Sequence, residues 1–115
     1  MTVATRMLLL GAALAPYVAL AGVDAWMHER ARRVPRLEQV LHYAAALLFV
    51  GFVVAVFRDA SRLALALFAS FAVVAAWDEL GFHRHLDGLE RRVHFVAYAS
   101  LALFVGAWRL LGSAV

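Results

Sequence analysis

Four apolar runs of about 20 residues each, parted by short charged segments, constrain this chain more than any other feature. A helix rises about 1.5 Å per residue, so each run matches a bilayer core about 30 Å thick. The runs fall near residues 7–27, 37–57, 63–82 and 93–111. Hydrophobic residues make up 65% of the 115 positions, and mean hydropathy is +0.80, a balance suited to lipid rather than water. The first run has features of a signal peptide, with Arg6 ahead of an apolar stretch and Ala19-Leu20-Ala21 resembling a cleavage site. It is read as a retained first helix with a kink expected at Pro16. The expected fold is an all-α integral membrane protein, a four-transmembrane-helix bundle forming a single domain over residues 1–115.

Charge then sets topology. Every basic residue is arginine, and a pI near 10.2 suits nucleic acid in principle, but the arginines sit in short loops beside the spans, so no nucleic-acid partner is expected. Loops one and three carry seven of them (Arg30, Arg32, Arg33, Arg36, Arg84, Arg91, Arg92), against four on the other side (Arg6, Arg58, Arg62, Arg109). The positive-inside rule therefore places loops one and three in the cytoplasm and both termini outside, as in a bacterial inner membrane. With no cysteine, thiolate metal sites, iron–sulfur clusters, disulfides and cysteine nucleophiles are excluded.

Local chemistry marks the helix ends. Pro35 suits the first turn of the second helix, and Asp59 or Ser61 suits a cap on the third. Asp87 and Glu90 have capping-box spacing at the start of the fourth. The halves also resemble each other. Asp24-Ala-Trp-Met-His28 matches Glu79-Leu-Gly-Phe-His83, Glu38…His42 matches Glu90…His94, and Leu48-Phe-Val-Gly51 recurs as Leu103-Phe-Val-Gly106. The chain thus reads as two parallel αα-hairpin repeats, about 7–57 and 63–111.

The repeated unit is a carboxylate followed four residues later by histidine, which on a helix puts both on one face. It occurs once per helix: Asp24/His28, Glu38/His42, Glu79/His83 and Glu90/His94. Random placement of eight acids and five histidines predicts about one third of one such pair, so polar clustering alone is a poor account of one in each helix. All eight groups are expected near one membrane face, where unpaired carboxylates repel and carry a desolvation cost. Two divalent cations offset that cost. Carboxylate and imidazole suit iron, favoured here, or zinc or manganese. Asp78 and His85 are expected as outer partners or alternate ligands, and Arg32, Arg33, Arg91 and Arg92 as a seat for an anionic headgroup. The plainer alternative is a membrane edge where acids pair with arginine, Glu90 completes a capping box, and Trp26, Trp77, Tyr43 and Tyr98 are belt anchors.

The donor set resembles that of the ferritin-like di-iron carboxylate bundles, where Glu and His from four helices hold two metals. The likeness is one of ligand type and helix number. That family spaces Glu-x-x-His by three, and here the spacing is four, which points to convergence in chemistry rather than membership. The functional expectation is a di-metal membrane oxidoreductase or oxygenase acting on a lipid-soluble substrate, working alone, as a homo-oligomer or with a partner subunit. The competing expectations are a metal-dependent lipid hydrolase, a metal-binding transporter or sensor subunit, and a haem-binding four-helix protein.

Overall fold

The computed structural model of the chain describes residues 1–31, 35–82 and 88–112, with the side chains of 28–31 and 82 outside that description. It contains four helices and, among the described residues, no strand: α1 (Val3–Ala31), α2 (Arg36–Phe57), α3 (Ser61–Phe82) and α4 (Gly88–Gly112). Each is long and apolar enough to cross a membrane. All four contain the expected spans and most extend beyond them. Hydropathy falls where charge begins, whereas a helix continues through Glu and Arg, which are good helix formers. Accordingly α4 starts at Gly88, ahead of Glu90, Arg91 and Arg92, and α1 continues past Met27 to Ala31. Pro16 lies inside α1 without ending it.

The helices pack as two compact units, α2 with α3 and α1 with α4. In the α2/α3 unit the chain reverses at Arg58–Ala60. Asp59 adopts a left-handed φ of 59°, its N–H donates to the Val56 carbonyl at 3.2 Å, and the Ala60 N–H donates to the Ala55 carbonyl at 2.9 Å. These are the paired bonds of a Schellman ending, which satisfies carbonyls that the last turn leaves open. Asp59 therefore closes α2, while the Ala60 carbonyl accepts the first bond of α3, from the Ala64 N–H at 2.8 Å. Pro35 likewise stands just outside α2, at its N-cap, with its carbonyl accepting from the Gln39 N–H.

Beyond that turn the helices run antiparallel in a fixed register. Phe52 meets Phe68 with ring centroids 5.1 Å apart, and Phe49 meets Phe71 at 5.5 Å. Gly51 makes room for the Leu67 side chain, because a Cβ there would lie 3.3 Å from Leu67 Cδ1. The same register carries α2 back to His42 opposite Asp78. On α3 the buried positions Ala64, Phe71 and Asp78 recur every seven residues, a seam that faces one neighbour.

The α1/α4 unit has a matching seam. Buried residues on α4 are Glu90, His94, Ala97, Ser100, Leu101, Phe104 and Trp108, and all but Ser100 follow one another at alternating steps of four and three. On α1 the buried Leu10 and Tyr17 continue at the same seven-residue step to Asp24. Away from these seams the surface is apolar: Leu8, Leu47, Leu103 and Leu110 are all exposed.

Candidate metal centre

One cluster of metal-ligating type is present among the described residues, at the open end of the α2/α3 hairpin: Glu38, His42 and Asp78. Each offers a donor atom, and the three atoms lie within 4.8 Å of one another. Glu38 occupies the first turn of α2 and is fully buried. His42 follows one turn later on the same face, its Nε2 3.8 Å from Glu38 Oε1. Asp78, near the end of α3, brings Oδ2 to 3.1 Å from His42 Nε2. That approach has ion-pair distance without hydrogen-bond alignment. For bonds of about 2.0–2.2 Å, two ligands at right angles on one ion stand ~3 Å apart, and opposite ligands ~4 Å apart. The separations of His42 from Glu38, 3.8 Å, and from Asp78, 3.1 Å, lie in that span.

In the α1/α4 unit, His94 Nε2 and Asp24 Oδ1 form a 2.6 Å hydrogen bond between helices. Both groups are largely buried, and Glu90 is buried one turn before His94. The His94 ring also meets Tyr98 edge-on, with centroids 6.2 Å apart.

The eight expected ligands thus separate into groups. Glu38 and His42 come together as the four-residue spacing requires, and Glu90 and His94 share the α4 seam. Asp24 meets the histidine of another helix, His94. The His28 side chain, His83, His85, Asp87, Arg32 and Arg33 lie outside the described residues. Glu79 is half-buried and stands outside the cluster, where its neighbour Asp78 is the carboxylate that meets His42. The reason is angular: adjacent residues on a helix diverge by about 100°, and the face of α3 that meets α2 passes through residue 78. The expected headgroup residues Arg91 and Arg92 are exposed, as are Trp26, Trp77, Tyr43 and Tyr98.

Comparison with known proteins gives no match to a family model, to a curated protein or to a solved structure.

Proposed function

We propose that this chain is an integral membrane metalloprotein whose α2/α3 unit binds a divalent cation through Glu38, His42 and Asp78, and that the centre serves oxidation of a lipid-soluble substrate. The observation that carries this reading is the convergence of three donors from two helices. Three protein ligands leave coordination positions open for water or substrate, the pattern of catalytic rather than closed structural sites. A nitrogen and oxygen set without thiolate suits iron, which supplies one-electron and dioxygen chemistry when bound; zinc in the same place would suit hydrolysis.

The chain's own groups have distinct parts in this reading. Glu38, fully buried, offers Oε1 at 3.8 Å from His42 Nε2 as a ligand from the preceding turn of the same helix. Asp78 ties α3 to α2 through the metal. The His42 side chain is 32% exposed, beside the exposed Tyr43, and Trp77 is exposed next to Asp78. An amphiphile can therefore approach laterally from the lipid. Membrane insertion is supported by four apolar helices and their exposed leucines, since soluble monomers rarely present such apolar surface to water. The arginine bias supports cytoplasmic first and third loops.

The 2.6 Å Asp24–His94 bond favours a second reading, in which the carboxylate–histidine contacts are metal-free polar links between helices. Elemental analysis of protein purified in detergent without chelator separates the two. At least one equivalent of metal per chain is expected, with one equivalent fewer in Asp78→Asn and no change in Glu79→Gln. Folded protein with no metal would establish the polar-link reading. The metal found identifies the chemistry, and an absorption spectrum of the same sample distinguishes haem.

A further inference from the structure

The two units share more than a fold. In α2/α3 the seam residues are Glu38, His42 and Phe52 on one helix, and Ala64, Phe71 and Asp78 on the other. In α1/α4 the residues at the matching steps are Glu90, His94 and Phe104, facing the helix that carries Leu10, Tyr17 and Asp24. Phe52 and Phe104 are both fully buried, and each stands ten residues after its histidine. Tyr17 and Phe71 each stand seven residues before the aspartate. The correspondence includes apolar packing positions as well as polar ones, so it is independent of the donor groups themselves. It aligns Asp24 with Asp78, not with Glu79.

From this match we propose that the α1/α4 unit holds a second divalent-cation site, made of Asp24, Glu90 and His94, which fills after the α2/α3 site. The inference rests on the metal reading of the first site and adds a second, weaker one. The order follows from geometry. In α2/α3, three donors already converge, with the histidine–aspartate pair at 3.1 Å. In α1/α4 the corresponding pair is drawn together to 2.6 Å in a hydrogen bond, which must open to take in an ion, and the Glu90 carboxylate must move in, since Asp24, Glu90 and His94 do not bring three donor atoms within 4.8 Å of one another. His94 is also more buried than His42, so the cation must shed its water in a more enclosed position. A site that must rearrange before binding has a weaker apparent affinity than one already arranged. The ligand class is a small divalent cation of borderline hardness, since one imidazole and two carboxylates form the donor set.

The test is a titration of metal-stripped full-length protein in detergent with Co2+, read by its visible absorption and by bound metal after desalting. Wild type is expected to show two steps, the second about tenfold or more weaker than the first. Asp24→Asn retains an oxygen that accepts a hydrogen bond from His94 but removes the anionic ligand; it should abolish the weak step alone. His42→Ala should abolish the strong step alone. Far-UV circular dichroism and size-exclusion chromatography establish that each variant is folded, and the milder Glu90→Gln replaces Asp24→Asn if that protein is not. One step of one equivalent, unaffected by Asp24→Asn or Glu90→Gln and lost in His42→Ala, would overturn the second site and leave the first standing. Cobalt binding unchanged by His42→Ala would instead overturn the reading of the first site on which this one rests.

Discussion

Glu38 is the residue at which burial bears on the proposed metal site. It lies in the first turn of α2 with no exposed surface, a position costly for a carboxylate unless charge and hydrogen bonding compensate. Glu38→Gln keeps the shape and removes the charge. The account predicts that added metal will raise the melting temperature of wild type more than that of Glu38→Gln, since a tenfold loss of affinity removes about 1.4 kcal/mol of ligand-linked stabilisation. Equal metal-induced shifts would place Glu38 outside the site. Glu38 and His42 were legible as a pair because spacing along one helix is a local property. Asp78 was not legible as the residue contacting His42, because that depends on which face of α3 meets α2. The seven-residue step from Ala64 through Phe71 to Asp78 was the available signal.

The helices themselves were legible, since apolar runs of bilayer length leave few alternatives, and their ends were less so because charge and helix termination are different things. The α2/α3 turn illustrates the point. Asp59 is well suited to this position by its tolerance of the left-handed region. Asp59→Val should therefore destabilise the protein by about 1–2 kcal/mol, while Asp59→Gly is tolerated. Two glycines give a contrasting pair. Gly51 faces Leu67, so Gly51→Leu should overpack the α2/α3 seam and cost about 1–3 kcal/mol. Gly11 meets nothing within 4 Å, so Gly11→Ala should stabilise α1 by up to about 1 kcal/mol. Thermal unfolding in detergent measures all four. A Gly51→Leu protein as stable as wild type would contradict the packing of Leu67 against Gly51.

For the whole molecule, four helices are long and apolar enough to cross a membrane, and the proposed direction of insertion rests on the arginine bias. A reporter active only outside the cytoplasm should function when fused after Val115 and be silent when placed in the loop between α1 and α2; the reverse would put the proposed sites at the outer face. The paired motifs offer the resemblance between halves in more than one register. Matching short strings aligned Leu48-Phe-Val-Gly51 with Leu103-Phe-Val-Gly106, whereas burial aligns Phe52 with Phe104. In a chain so rich in Leu, Val, Ala and Phe, apolar strings match at several offsets, and only the residues facing a partner helix discriminate among them.

The central claim is that a cation sits among Glu38, His42 and Asp78, and X-ray absorption at the metal edge tests it most directly. The sample is Asp24→Asn protein, in which this is the one proposed site left intact. The account predicts a first shell of nitrogen and oxygen at about 2.0–2.2 Å with the outer-shell scattering of one imidazole, and loss of that imidazole signal when His42→Ala is added. A first shell without imidazole, or an imidazole signal that persists after His42→Ala, would contradict it.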